Sequence, residues 1–430
     1  MKKMVTILFT IVFTLNFVNT KTYANVDPQS THLPKLEKST VKGSFVVTSD
    51  PQYPWTDITD NSDPNVTETE SEKKRRSEEF IRGQYNSINE YIQQLKGMTE
   101  ATPVLINGDV TAFGHPWQWN KMESLLNILK APILLGLGNH DIENNIDDCV
   151  ANSCVRSSME HYTDRIQLLA KTRYDRKGEY PNNSHKFGSF AYSVDVGPIH
   201  FVQLNNYPTM TFQVSGYTME DSLNWLEQDL KDAYQYGQAS IVNMHEPSGW
   251  KKGTQEQKDR FKGLLKKYNV KAVFAGHYHK KSGYFPNDYK EYFGDVPVFL
   301  SGSASQKTYL IAEYDNNEMK VYKVRNNEWK NKKLVGKINI SGRPFPSYSK
   351  VVKLYEHANG LGRDLKGLTF SEWNDKISSV RLPPFTQIEL FEHIHYKGQK
   401  KVLRNYGNLP KLYNLYDFND ITSSYRISEL

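Results

Sequence analysis

The chain has 430 residues, 38% hydrophobic and 24% charged, with 26 Gly and 19 Pro in no short period. That composition excludes a disordered, collagen-like or low-complexity protein, and the length admits two or three domains. The net charge of +6 includes Lys2, Lys3 and Lys21 near the start, so the remainder is too weakly basic to predict binding to nucleic acid or an anionic membrane.

Lys2 and Lys3 precede an apolar run from Met4 to Val18, and Thr22-Tyr23-Ala24 then leads to Asn25. This order predicts a secretory signal peptide over residues 1–24, cleaved near Ala24, with an uncleaved membrane anchor as the alternative. The expected location is extracellular, since no later segment reaches the ~18 apolar residues of a spanning helix. A polar lead-in is expected over 25–42. Cys149 and Cys154, the only two cysteines, predict a small disulfide loop in an exported chain, with two free thiols as the alternative.

From residue 43 onward, short apolar runs alternate with amphipathic stretches, the pattern of an α/β domain, expected over 43–330. Buried strands are predicted at Ser44–Thr48, Val104–Asn107, Ile133–Leu137, Ser240–Met244 and Lys271–Ala275. Ile81, Tyr85, Ile88, Ile92 and Leu95 recur at steps of three and four, which marks one face of a helix lying on a sheet. Leu223, Leu226 and Leu230 mark a second helix, and Phe261, Leu264 and Leu265 a third. The segments Phe190–Leu204, around Gly197-Pro198, and Tyr309–Val324, around Asp315-Asn316-Asn317, read as antiparallel pairs, so the sheets should be mixed. A linker is expected over 331–349, rich in Lys, Asn, Ser and Pro. Beyond it the strings LYEHANGLG from Leu354 and LFEHIHYKG from Leu390 repeat, as do NDKISSV from Asn374 and NDITSSY from Asn419. Two copies of one β unit are expected over 350–430.

Each of the five buried strands runs into residues able to bind a metal. The first gives Asp50 and Gln52, the second Asp109, the third Asn139, His140 and Asp141, the fourth His245, and the fifth His277 and His279. In open α/β sheets the carboxyl ends of strands gather such groups at one place. Carboxylate, amide and imidazole donors suit Mn, Fe or Zn better than a calcium cage, and a pair of such ions would polarise a phosphoryl group and activate water. His115, His185 and His200 fall outside this pattern and are read as ordinary histidines.

Those blocks resemble the calcineurin-like metallophosphoesterases, whose pattern runs Asp-x-His, Gly-Asp, Gly-Asn-His-Asp/Glu, His and Gly-His-x-His. The resemblance covers roughly residues 43–325 and implies a mixed β-sandwich flanked by helices. It implies that Asp50, Gln52, Asp109 and His279 hold one metal, and Asp109, Asn139, His245 and His277 the other, with Asp109 bridging. It further implies that His140 lies over the substrate, where it stabilises charge on the phosphoryl group or protonates the leaving oxygen, that Asp141 orients His140, and that a hydroxide between the metals attacks phosphorus in a phosphate ester. Two departures stand out. Gln52 replaces the usual His, as in an Asp-Pro-Gln variant of the first block. Ala112 stands where many relatives carry a second acid. The stretch Tyr53 to Glu72, with Trp55 and several acids, reads either as a substrate-side loop or as an ordinary insertion.

The tail, with aromatic-Glu-His, Gly and then Asn-Asp-x-x-Ser-Ser, resembles a βγ-crystallin domain of two Greek-key motifs. The resemblance implies calcium sites at Asn374, Asp375 and Ser378 and at Asn419, Asp420 and Ser423, whose oxygens suit Ca²⁺. Gly360 departs from the pattern where the second copy has Tyr396. Such a domain could also engage a surface ligand. The competing expectation for the whole chain is a catalytically weak or inactive secreted binding or toxin-like protein that retains both folds.

Overall fold

The computed structural model describes residues 42–61, 65–95, 102–169, 172–178, 185–235, 237–341, 352–365, 369–383, 386–405 and 410–429. The expected signal peptide and nearly all of the lead-in lie outside these residues.

The predicted strand at Ser44 forms as Gly43–Thr48, buried along its whole length. It pairs in parallel with Val104–Asn107, which pairs in parallel with Ile133–Gly136. On its other side it pairs antiparallel with Tyr309–Tyr314, which turns back into Glu318–Val324. A second sheet places Val298–Leu300, Ala272–Ala275, Ala239–Asn243 and Ile199–Gln203 in parallel, with Tyr192–Val196 antiparallel beside the last. Both expected antiparallel pairs are therefore present, and the sheets are mixed.

The two sheets share one apolar core. Phe45 of the first meets Phe201 and Phe274 of the second edge to face, with ring centroids 4.9 and 5.6 Å apart, a geometry favoured by the ring quadrupoles. Asn107 Nδ2 donates to the Phe274 carbonyl at 3.0 Å and Gln203 Nε2 donates to Asn107 Oδ1 at 3.1 Å, which ties the sheets together close to the strand ends that carry Asp109 and His245.

The helix Glu70–Gln94 begins with a capping box in which Thr69 accepts from the Glu72 amide and Glu72 returns to the Thr69 amide. Its apolar face, Ile81, Tyr85, Ile88 and Tyr91, is buried, and Tyr91 Oη lies 2.7 Å from Ser44 Oγ on the first strand. Leu223–Gln235 and Gln255–Lys267 bury Leu223, Leu226 and Leu230, and Phe261, Leu264 and Leu265, the residues whose spacing predicted them.

The expected linker needs correction. Lys333–Asn339 is a strand, antiparallel to Glu318–Val324 at the edge of the first sheet. Its outer positions are exposed and Ile338 is buried, so one face meets water. A one-sided edge strand can carry this many lysines and lacks the apolar density that marks a buried strand. The last part of the expected linker, 342–349, lies outside the described residues.

Residues 352–429 contribute a separate apolar cluster that includes Val352, Leu354, Val380, Leu382, Ile388, Leu390 and Leu415. Two three-stranded antiparallel sheets surround it: Lys353–Tyr355, Ser379–Leu382 and Lys411–Asn414 in one, Lys397–Asn405, Thr386–His393 and Ser424–Glu429 in the other. Lys411–Asn414, from the second sequence copy, thus completes the sheet of the first. The repeat is visible in the backbone as well. Asn359 and His395, at matching positions, have φ of 61° and 58°, and Gly362 and Gly398 have φ of 79° and 78°. A Cβ on either glycine would lie 2.9 Å from the ring of His357 or His393.

Candidate metal centre and active site

Asp50, Gln52, Asp109 and His277 have φ of 51°, 42°, 48° and 70°. Left-handed backbone at non-glycine residues is costly and gathers where function requires it. Here it turns the chain sharply at three strand ends so that the side chains point inward. The neighbouring glycines are required by the same crowding: a Cβ on Gly138 would sit 2.2 Å from Asp109 Oδ1, and one on Gly276 2.8 Å from Asp50 Oδ2.

His245 is fully buried, and its Nδ1–H donates to the Asn107 carbonyl at 2.8 Å. The other nitrogen, Nε2, therefore faces Asn139 Oδ1 at 3.0 Å, Asp109 Oδ2 at 3.1 Å and Asp50 Oδ1 at 3.9 Å. His277 Nδ1 approaches the same Asn139 oxygen at 3.1 Å. On the other side of Asp109, His279 Nε2 lies 3.2 Å from Asp50 Oδ1. Two donor groups result, Asp109 with His245 and His277, and Asp50 with Asp109 and His279, each with its ligand atoms within 4.8 Å of one another. Asp109 belongs to both.

Lone pairs of nitrogen and oxygen that face one another in a buried site require a cation between them. Without a metal, only protons can fill that role. Burial alone would depress the pKa of His245, yet the Asp109 and Asp50 carboxylates push it up to about 10. Burial likewise opposes charge on His279, and Asp50 and Asp60 push it up to about 10. His277 goes the other way, to about 4, through burial and the nearby His245 charge. Both amide atoms of the fully buried Gln52 lack hydrogen-bond partners. The donor set and these orphaned atoms fit divalent ions.

His140 borders the same cavity of about 430 Å³, together with Trp55, Asp60, Asp109, His277, Tyr278, His279, Lys280 and Lys281. Its amide donates to Asp109 Oδ1 at 2.8 Å, and its Nδ1 lies 2.8 Å from the Ala112 carbonyl, which can only accept. The expected role of Asp141 is corrected here. Its carboxylate accepts from the Val110 and Thr111 amides at 2.9 Å, Thr111 Oγ1 at 2.8 Å and the Gly138 amide at 3.0 Å. Asp141 therefore fixes the turn that presents the Ala112 carbonyl, and that carbonyl orients the His140 ring.

Asp60 is not among the expected site residues, although it lies in the stretch that reads either as a substrate-side loop or as an ordinary insertion. The short helix Asp57–Asn61 places its side chain at 3% exposure, where it accepts from His279 Nδ1, from Trp55 Nε1 at 2.7 Å, from Ser305 Oγ and from Gln306 Nε2 at 2.7 Å. Burial opposes its charge, but His279, Ser305 and Gln306 hold its carboxyl below the usual carboxylate range. The only advance signal was an acid and a tryptophan shortly after the first block.

The three histidines read as ordinary, His115, His185 and His200, have structural partners. His185 Nε2 lies 2.9 Å from Thr218 Oγ1, and His200 is buried between Asp195 and Asp229 at 2.6 and 2.9 Å. His115 Nδ1 lies 3.2 Å from Cys154 Sγ. Cys149 and Cys154 are disulfide-bonded, with Cα atoms 5.8 Å apart, so no thiolate remains there for a metal.

In the C-terminal region the six expected calcium residues fall into two mixed groups. Ser423 Oγ donates to Asp375 Oδ1 at 3.1 Å while Asn374 Nδ2 donates to Asp375 Oδ2 at 2.8 Å. Ser378 Oγ lies 3.0 Å from Asp420 Oδ1, and Asn419 Nδ2 donates to Asp420 Oδ2 at 2.7 Å. Each Asp thus meets the Ser of the other sequence copy.

The fold and these two Asp/His groups define a metallophosphoesterase-type domain, and the comparison with family profiles agrees. The profile described as calcineurin-like phosphoesterase matches residues 43–281, and the chain belongs to that family. Comparison with curated proteins found no match. Among solved structures, a protein of Thermus thermophilus is 10% identical, covering 63% of this chain and 93% of its own, with a TM-score of 0.35. A 5'-nucleotidase from Candida albicans is 12% identical, covering 64% and 47%, with a TM-score of 0.38. An eye-lens beta-gamma-crystallin domain structure is 23% identical, covering 19% and 87%, with a TM-score of 0.16. Among the described residues no helix is long and apolar enough to cross a membrane.

Proposed function

We propose that this chain is an exported hydrolase of phosphate esters that works with two metal ions, drawn from Mn, Fe and Zn, and that its C-terminal region is a calcium-binding βγ-crystallin-like domain. The observation that carries the reading is the sharing of Asp109 between the two Asp/His groups, within a chain of the calcineurin-like phosphoesterase family. Asp50, Gln52, Asp109 and His279 would hold one ion, and Asp109, Asn139, His245 and His277 the other. Bound there, the ions supply Lewis acidity toward phosphoryl oxygen and lower the pKa of a water.

The chain's own groups account for the rest. Because Nδ1 of His140 is held by the Ala112 carbonyl, Nε2 is the nitrogen left to exchange a proton with substrate. Protonated, it gives that proton to the leaving oxygen as the P–O bond breaks. Lys280 and Lys281 at the cavity border favour an anionic ester. The Cys149–Cys154 disulfide suits the oxidising surroundings of an exported protein.

A panel of chromogenic phosphate monoesters and diesters, assayed with Mn²⁺ and again after chelation, tests the proposal. Metal-dependent release of chromophore is expected. No hydrolysis of any ester by metal-loaded protein would favour the inactive binding protein.

A further inference from the structure

Asp60 is the one acid of the cavity that the metal sets do not use, and its two oxygens are divided between different tasks. Oδ2 accepts from Ser305 Oγ and Gln306 Nε2, so it is anchored in the loop that follows the strand Val298–Leu300. That loop is itself braced by a 2.7 Å contact between Ser303 Oγ and Ser305 Oγ. Oδ1 faces the site and accepts from two rings at once, His279 Nδ1 and Trp55 Nε1. With four donors the carboxylate has no freedom left to rotate.

The consequence for His279 follows from hydrogen-bond polarity. A carboxylate only accepts, so the proton of a neutral His279 must sit on Nδ1, and Nε2 presents its lone pair to Asp50 Oδ1, 3.2 Å away. That arrangement is favourable only with a cation between the two atoms. Asp60 therefore selects the tautomer and ring angle that bind a metal. The consequence for Trp55 is steric. Fixed by Nε1–H, its ring stands edge to face against His140, at 5.3 Å, and against His279, at 5.8 Å, and so forms a wall of the cavity.

We propose that Asp60 is a positioning residue with two dependants: it presents His279 Nε2 to the cation position beside Asp50, and it holds Trp55 as the wall against which the substrate lies. The inference rests on the phosphoesterase reading for its substrate half and on the donor geometry alone for its metal half.

The test is Mn²⁺ titration by calorimetry of chelator-treated full-length wild type, Asp60→Asn, Trp55→Phe and a Ser305→Ala/Gln306→Ala double variant, with ester kinetics on the same samples. Asp60→Asn is isosteric but cannot accept from all four donors. It should weaken one Mn²⁺ site about 10- to 100-fold and raise KM. Trp55→Phe should leave Mn²⁺ affinity within about twofold and raise KM several-fold, because it removes the tether of the wall and not that of His279. Releasing Oδ2 in the double variant should weaken Mn²⁺ binding several-fold, which keeps the test decisive should Asp60→Asn fail to fold. Wild-type Mn²⁺ affinity in both Asp60→Asn and the double variant overturns the inference, as does a Trp55→Phe loss of affinity equal to that of Asp60→Asn. If every sample binds Mn²⁺ as expected and none cleaves an ester, the phosphoesterase reading and the substrate half fail while the metal half stands.

Discussion

Asp109 Oδ2 lies 3.1 Å from His245 Nε2 while Asp109 Oδ1 accepts the amide of His140 at 2.8 Å. One carboxylate thus joins an imidazole of the proposed metal centre to the loop that carries the proposed proton donor. A change at Asp109 should disturb both ends of the site.

Asp109→Asn should abolish measurable turnover and lower metal uptake by more than the about 10- to 100-fold typical of an outer-shell residue. Metal content by elemental analysis, beside kinetics at saturating Mn²⁺, checks this. A folded variant with full activity would show that Asp109 does not bridge.

His140→Ala should lower kcat by about 10² to 10⁴ and leave metal content unchanged. The loss should be larger for alkyl esters than for nitrophenyl esters, whose leaving oxygen needs little protonation. An equal loss for both classes would remove the proton-donor assignment and leave only charge stabilisation.

The buried His200 makes stability sensitive to alkali. Burial pulls its pKa down, but Asp229 and Asp195 more than offset this and push it up to about 9 from an ordinary 6.5, with Arg173 Nη1 3.0 Å from Asp229 Oδ1 on the far side. A raised folded-state pKa means that its contribution is fully present below pH 6.5 and is lost as pH rises through 9. The shift corresponds to roughly 3 kcal/mol. Urea unfolding across that range should show the decline. His200→Gln should flatten it and destabilise the protein by about 3 kcal/mol, since the buried Asp229 carboxylate then keeps only Arg173 as a cation.

Breaking the Cys149–Cys154 bond, by a double Cys→Ser change, should cost about 2 kcal/mol for so short a loop. The loop follows the turn that carries His140, and Asn145 Nδ2 donates to the His140 carbonyl at 2.6 Å. A modest fall in kcat with unchanged metal affinity is therefore expected, read by kinetics under matched conditions.

Calcium added to chelator-treated full-length protein should raise its melting temperature, in line with about 2.7 kcal/mol at one hundred times the Kd. Asp375→Asn and Asp420→Asn should each remove part of that gain. An identical melting curve with and without calcium would count against the proposed sites.

The strand-end blocks from Asp50 to His279 were legible in the chain because a buried parallel strand is a compact apolar run, and the residue following it has a fixed place in such a sheet. The internal repeat was legible because matching glycines and left-handed positions, such as Gly362 and Gly398, leave matching letters. Other features left no local trace. Lys333–Asn339 looked like a linker, since an edge strand with one wet face has little apolar pattern to show. Ala112 acts through its carbonyl, which every residue carries, so its letter could not reveal that it orients His140.

By itself, the order of residues determined the mixed α/β architecture, the donor types offered to a metal and the sites of the helices, because these depend on periodicity and on side-chain chemistry within a few neighbouring positions. Only the tertiary structure decided that Asp141 braces a turn instead of touching His140, and that Asp60 reaches His279. Those facts depend on distances between residues far apart in the chain, which close packing of the two sheets sets and local sequence does not encode.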